Sequence, residues 1–312
     1  MIIEVDTGTA DESLLRRMYE IRRACHLAAN PDEPIEDAPT GVSLLRRPRM
    51  GGGHRYLVAD DPAVGFASVD LPPDVTTAFV RVYVEPGRRR QGTGGALFDA
   101  AVAYARSAGR TVLTGMYGDD DGAAFAAARG ARVGQTVVRS LLRLPVAEQP
   151  VPVPGHRAVT WLGPVADELL ESYTAARNAI HDAPTDAGVQ WPHVTAQAVR
   201  EQEETVARRG VQLRVTAILD AAGAVVAFTQ VLVPATGDVA FTEETAVVPA
   251  SRRRGLARWV KAESLRLLAA ERPEVASVGT TNAAVNTGML AVNRALGFRP
   301  VGTWTTVVFD LA

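Results

Sequence analysis

Two short segments of this chain combine residues suited to gripping an anionic ligand. The first runs Val82-Tyr83-Val84-Glu85-Pro86 and then Arg88-Arg89-Arg90-Gln91-Gly92-Thr93-Gly94. The second runs Thr245-Ala246-Val247-Val248-Pro249 and then Arg252-Arg253-Arg254-Gly255-Leu256-Ala257. In both, a strand-like run stops at proline, an arginine-rich turn follows, and glycine opens a helix. Glycine lets the backbone come close to a ligand. The first amides of a helix lack intrahelical partners and carry partial positive charge. A pyrophosphate fits such a mouth, and flanking arginines add charge-assisted hydrogen bonds. One copy alone reads equally well as a solvated basic turn; two copies favour a phosphate site. A P-loop is excluded, because no G-x-x-x-x-G-K-S/T run is present.

The elements that must hold these turns follow from periodicity. Residues 12–28 read as a helix and 30–43 as an acidic loop. Strands are expected at 55–59, 63–69 and 77–84, a helix from Gly92 to near Gly109, a strand at 111–115, a helix at 122–129 and a strand at 133–144. The second half repeats the order. A strand at 157–162 precedes a helix over 164–180, a loop over 181–192 and a helix at 193–209. Strands at 211–219, 224–233 and 238–248 lead to a helix at 255–271, a strand at 275–281, a helix at 284–295 and a strand at 301–310. This mixture predicts an α+β fold with a mostly antiparallel sheet in each half.

The chain also repeats in sequence. Asp37-Ala38-Pro39-Thr40 recurs as Asp182-Ala183-Pro184-Thr185, each time ahead of an arginine–glycine turn. The period is far beyond that of a solenoid, so a duplicated domain is the reading. We expect domains at 1–145 and 157–312, joined by a proline-rich linker at 146–156.

The two turns resemble the acetyl-CoA motif of GNAT acetyltransferases, R/Q-x-x-G-x-G/A. Arg89-x-x-Gly92-x-Gly94 and Arg252-x-x-Gly255-x-Ala257 both match it. Downstream, Asn286, Met289, Asn293 and Leu296-Gly297-Phe298 are similar to a second family segment. The first half ends instead in Arg129-Gly130-Ala131. The resemblance implies two GNAT-like domains in tandem, using acetyl-CoA as cosubstrate and no metal. It implies that pantetheine pairs with the fourth strand of each domain, near Val84 and near Val247. It also implies that Arg252 to Ala257 cradle the pyrophosphate and that Asn286 meets the pantetheine arm. The first-half counterparts are Arg89, Arg90, Gln91, Gly92, Thr93 and Gly94.

The implied reaction is acetyl transfer to a primary amine of a small or peptidic acceptor by direct attack on the thioester. An alkylamine near pKa 10 is neutral in roughly one molecule per thousand at pH 7, so a base is useful. Glu243, twelve residues before Gly255, stands where some GNATs place a glutamate base. A bulge would exchange its face with that of Glu244. The matching first-half residue is Val80, which cannot act. Asn293 occupies the place of the usual tyrosine acid and would only hydrogen-bond the leaving thiolate. Chemistry is therefore assigned to the second domain, with the first degenerate. The alternative is a non-catalytic acyl-CoA-binding sensor or scaffold.

The resemblance implies that the loop between the first two helices of each half lines the acceptor site, and both loops are acidic: Asp32, Glu33, Glu36 and Asp37 in the first half, Asp182 and Asp186 in the second. They suit a cationic acceptor or, equally, a polar surface loop. Trp191 reads as packed or as a stacking surface. Cys25, the single cysteine, reads as core and not as a nucleophile paired with His26, since adjacent helical residues diverge. His54, His156 and His193 show no metal-ligand spacing.

Composition sets the outer bounds. The chain has 312 residues, 47% hydrophobic and 22% charged, with a formal net charge of −2. Lys261 is the only lysine, so nearly all the basic residues are arginine. That charge balance, with no aromatic interleaving around Arg46 to Arg49, argues against nucleic acid. The start, MIIEVDTG, lacks a signal-peptide pattern, and no apolar run reaches membrane-span length. A cytoplasmic monomer or homodimer, with no membrane partner, is the expectation.

Overall fold

The computed structural model describes residues 1–30, 35–46, 53–59 and 63–311. These form two compact units of α+β type. Unit 1 comprises Met1–Thr136, Thr185–Pro192 and Thr303–Ala312; unit 2 comprises Val137–Pro184 and His193–Gly302.

Unit 1 is built from β1 (Ile2–Val5), α1 (Glu12–Ala29), α2 (Ala38–Leu45), β2 (Gly53–Ala59), β3 (Gly65–Leu71), β4 (Thr77–Val84), α3 (Thr93–Ser107), β5 (Val112–Tyr117) and α4 (Asp120–Ala128). Its strands lie in the order β1-β2-β3-β4-β5, and the last strand of the chain, β12 (Arg299–Asp310), follows β5. β4 and β5 are parallel, whereas the other pairs are antiparallel. One face of the sheet carries α3, whose Leu97, Ala101 and Ala105 pack on Ala67, Val69, Leu113 and Phe309. The other carries α1 and α2, with Leu15, Met18, Ile21, Val42 and Leu45 on Val58 and Phe66.

Unit 2 contains β7 (Arg157–Leu162), α5 (Asp167–Asn178), α6 (Ala196–Arg208), β8 (Val211–Leu219), β9 (Val225–Pro234), β10 (Val239–Val247), α7 (Leu256–Glu271), β11 (Ser277–Ala283) and α8 (Thr287–Ala295). It also takes β6 (Arg132–Arg143) from Val137 onward. The order is β6-β11-β10-β9-β8-β7, with β10 and β11 parallel and the rest antiparallel. Tyr173, Ala176, Val199 and Val206 pack on Val215 and Phe228 on one face. Ala262, Leu265 and Leu268 of α7 pack on Val231, Val233 and Val278 on the other.

The sequence halves have therefore exchanged their final strands. β6, which ends the first half, pairs with β11 from Ser277↔Arg143 to Ala283↔Val137. β12, which ends the second, pairs with β5 from Thr305↔Tyr117 to Asp310↔Val112. The segment 185–192 also belongs to unit 1. There Asp186 Oδ1 accepts from the Gln135 amide at 2.8 Å, the Gln190 amide donates to Thr77 Oγ1 at 2.9 Å, and Trp191 lies 4.9 Å from Phe79, ring to ring.

Residues 38–45, which begin inside the loop expected at 30–43 and run past it, are helical. Asp37 caps them by accepting from the Thr40 amide at 2.9 Å, and Pro39 falls in the first turn, where its missing N–H costs nothing. Gly41 permits the close packing, since a Cβ there would lie 2.1 Å from the Tyr19 ring. Asp32, Glu33, Arg47 and Arg49 lie outside the described residues.

Candidate active site

The two arginine turns have nearly the same backbone. Each begins with a single 3-10 turn, Pro86–Arg88 or Pro249–Ser251. Arg89 and Arg252 are extended, Arg90 and Arg253 have φ of 62° and 64°, and Gly92 and Gly255 have φ of 84° and 85°. Left-handed arginines are uncommon and occur where a backbone shape is imposed. Alternating handedness of this kind turns successive N–H groups toward one concavity and creates an anion nest. The first intrahelical bonds run from Ala96 to Gly92 and from Trp259 to Gly255. Residues 93–95 and 256–258 thus present helix-start amides, and neither glycine cap has a side-chain hydrogen bond. A Cβ built on Gly92 or Gly255 meets nothing within 4 Å, so both mouths are open. Leu256 is buried beside Trp259 and anchors α7, while Arg253 and Arg254 are exposed.

Beside each mouth the parallel strands part. β10 pairs with β11 only over Val239–Phe241, whereas its antiparallel pairing with β9 continues to Val247. β4 pairs with β5 only over Thr77–Phe79 and with β3 as far as Val84. Among the described residues, 242–247 and 80–84 therefore have no strand partner on their parallel side. An extended ligand can pair there as an added strand.

One feature separates the units. β10 has a β-bulge between Thr242 and Glu244, so Glu243 is the inserted residue at the point where the strands part. β4 runs through the same place with unbroken register. A bulge re-aims side chains and redirects the backbone. Glu243 is exposed. Glu244 points at α5 and forms a bidentate ion pair with Arg177, at 3.0 Å from Nε and 2.7 Å from Nη2. Arg177 also bonds Gln202 of α6. Tyr173, one turn earlier on α5, has its hydroxyl pushed well above its ordinary pKa by burial, and it accepts from Gln230.

The arginines are anchored differently too. Arg252 Nε donates to the Val247 carbonyl at 3.0 Å, and its Nη2 reaches Asp182 at 2.5 Å. The tetrapeptide Asp-Ala-Pro-Thr thus caps a helix in unit 1 and pins the arginine of the turn in unit 2. In unit 1, Arg89 lies 2.8 Å from Asp121 and 3.5 Å from Asp119, at the start of α4. Its hydrogen bond and charge hold the Asp121 carboxyl below the ordinary range. Phe125 packs 3.4 Å from where a Gly94 Cβ would stand, which narrows the space beside the mouth. Cys25 donates to the Val84 carbonyl at 3.2 Å, and burial raises its thiol pKa. Cys25 is half-buried, packed against the α1 core and not enclosed within it.

Asn286 caps α8, accepting from the Met289 amide at 3.2 Å. Asn293, 2% exposed, donates to Asn282 Oδ1 at 2.6 Å, and its own Oδ1 has no hydrogen-bond partner among the described residues. An orphaned buried acceptor is costly and marks a place for a donor. The structure thus brings Val247, Arg252 to Ala257 and Glu243 to one end of β10 and α7. Asn286 and Asn293 come from α8, which packs on α7.

Periodicity gave no sign of Lys261, which is 2% exposed within α7, its Nζ 5.1 Å from the centre of the Phe298 ring. Burial lowers its pKa to about 7. The unfolded value is near 10.4. Between these values the unfolded chain holds the proton and the folded one does not, so stability rises from about pH 7 to about pH 10. Lys261→Met is expected to be more stable than the parent at pH 7 and to lose that rise. Chemical denaturation at pH 7 and pH 9.5 checks both.

Among the described residues no cluster of histidine, cysteine and carboxylate groups suits a metal ion, and no helix is long and apolar enough to cross a membrane.

The profile of the acetyltransferase (GNAT) family matches residues 15–142. Curated relatives include mycothiol acetyltransferases of Mycolicibacterium paratuberculosis, 33% identical over 139 residues, and Actinosynnema mirum, 36% identical over 111 residues. These matches take in 43% and 34% of this chain and only 40% and 37% of the relatives' own lengths. Among solved structures, a tandem GNAT protein from the clavulanic acid biosynthesis pathway superposes with a TM-score of 0.84 at 26% identity, covering 100% of this chain and 98% of the other. A GCN5-related N-acetyltransferase from Sphaerobacter thermophilus shares the fold, with a TM-score of 0.75 at 16% identity over 99% of this chain and 96% of that one.

Proposed function

Since the chain is a tandem member of the GNAT acetyltransferases, we propose that it transfers an acetyl group from acetyl-CoA to a primary amine of a small or peptidic acceptor, with turnover in unit 2. The observation that carries the assignment to unit 2 is the bulge at Glu243. It lies where β10 leaves β11, on the strand that runs to the open Gly255 mouth.

The residues of unit 2 fit the cosubstrate. The amides of 256–258, the concave turn at Arg253 and the exposed guanidiniums of Arg253 and Arg254 would hold a diphosphate. The unpaired edge of β10 up to Val247 would pair with an amide-bearing arm. Acetyl-CoA supplies the acyl group activated as a thioester. An N–H on that edge of β10 would polarise a carbonyl laid against it, and such donors act without reorganising. Glu243 would accept the proton of the amine. Glu244 is unsuited to that task because Arg177 occupies both of its oxygens. Asn293, with its amide flipped so that Nδ2 takes the place of the unused Oδ1, would donate to the leaving thiolate.

Unit 1 keeps the glycine mouth, but its β4 pairs with β3 in unbroken register, has Val80 in place of the glutamate, and Asp119 and Asp121 lie on Arg89. These features favour a unit that does not turn over.

The test is release of free thiol from acetyl-CoA across a panel of amines, together with calorimetry of CoA. We expect turnover with at least one amine. CoA binding without turnover on any amine would leave the sensor or scaffold reading in its place.

A further inference from the structure

The bulge of β10 has two possible occupants. Thr242 pairs with Val231 and Glu244 with Gln230, and Glu243 is inserted between them. Moving the insertion one residue along would set Glu243 opposite Gln230 and make Glu244 the inserted residue. The two carboxylates would then exchange faces, because register decides the face of each side chain. Both residues are glutamate, so neither size nor intrinsic preference selects one arrangement.

Contacts on either side of the bulge narrow the choice. Upstream, the Phe241 ring covers Gly279 of β11, where a built Cβ would stand 2.9 Å from it. Downstream, Thr229 Oγ1 lies 2.8 Å from Thr245 Oγ1. That pair fixes Thr245 in the ladder but not which glutamate precedes it. Arg177 makes the distinction. Its fork takes both oxygens of Glu244, at 3.0 Å from Nε and 2.7 Å from Nη2. Arg177 is 6% exposed, and its Nη1 donates to Gln202 of α6, so the guanidinium is held from behind. Gln230, opposite Glu244, donates to the hydroxyl of Tyr173 on the same helix. A planar fork is geometrically selective, and leaving it buried and unpaired is costly. Glu244 is therefore tied to α5, and Glu243 is left the inserted place.

Unit 1 has an arginine on the strand instead. Arg81 stands five residues before Pro86, as Glu244 stands five before Pro249. It donates to Asp70 of β3 at 2.9 Å, and Asp70 lies 2.6 Å from His54 Nδ1 on β2. These contacts join strand to strand, and β4 keeps unbroken register with β3.

Resting on the acyl-transfer reading of unit 2, we propose that Arg177 is a positioning residue for Glu243. By gripping Glu244 from α5 it fixes the bulge, so that Glu243 and not Glu244 stands where β10 parts from β11. It acts through Glu244 and the backbone, not on the reacting atoms.

The test is a mutant cycle of Arg177→Met with Glu243→Gln. Turnover per folded molecule, CoA affinity by calorimetry and a denaturation midpoint are measured for each variant. Arg177→Met is expected to lower kcat about fivefold or more and to leave CoA affinity unchanged. In that background Glu243→Gln should cost at least about fivefold less than in the parent, because both substitutions remove the same placed carboxylate. Arg177→Lys, which keeps the charge without the fork, should recover part of kcat. A crystal structure of Arg177→Met should show the extra residue no longer confined to Glu243. An equal cost of Glu243→Gln in both backgrounds would overturn the proposal. So would a lowered midpoint with kcat per folded molecule unchanged, which would leave Arg177 a stabilising residue only. If Arg177→Met fails to fold, Arg177→Lys carries the same cycle. Should the parent turn over no amine, the acyl-transfer reading fails by itself. The crystal structure of the variant still decides the clamp in that case, and a bulge unmoved at Glu243 would overturn it.

Discussion

Glu243→Gln is expected to lower turnover on an amine acceptor about a hundredfold or more while leaving CoA affinity unchanged. Glutamine has almost the same shape and keeps an acceptor oxygen, so the bulge and the strand edge are retained. What it loses is the capacity to take a proton. The loss should shrink as pH approaches the pKa of the amine, because the acceptor then arrives neutral without help. A rate profile from pH 6.5 to pH 10 in parent and variant measures this. Equal rates throughout would remove Glu243 from the mechanism. Glu244→Gln makes a different kind of change, since it weakens the bidentate contact with Arg177. It should appear first in denaturation midpoints.

The second large effect is expected at Gly255. With φ at 85°, any side chain there is strained by about 1–3 kcal/mol. A Cβ alone meets no neighbour within 4 Å, so alanine adds strain and little bulk. Valine adds both and covers the first amides of α7. We expect Gly255→Val to weaken CoA binding more than tenfold and Gly255→Ala to do less. Calorimetry of CoA and a urea melt of each variant separate the two contributions. If valine and alanine weaken binding equally, backbone strain and not a covered mouth is the cause.

The glycine mouths were legible because their chemistry is local. Proline, arginines and glycine occur within a few residues, and their backbone angles are set by those residues. The long helices and most strands were legible for the same reason. α2 was not, because Ala38 to Leu45 contain proline and glycine and depend on the Tyr19 ring for their packing. The bulge was present only as a count. Phe79 stands seven residues before Pro86, whereas Phe241 stands eight before Pro249, and the extra residue is the one that matters. The dyad of His54 and Asp70 is invisible to spacing rules, because strand pairing and not a motif brings residues sixteen apart together. The exchange of β6 and β12 was equally out of reach. Both strands have the same apolar character, so composition cannot say which sheet each one joins.

That exchange has a consequence for biosynthesis. On a ribosome the residues of β1 to β5 emerge long before Thr303, yet β5 acquires its antiparallel neighbour only when β12 has been made. Until then β5 is an unpaired edge open to mispairing. Cutting the gene at the proline-rich stretch would leave the upstream product permanently in that state. Such a fragment should precipitate or recruit a surrogate strand, and supplying residues 299–312 as a separate peptide should rescue it.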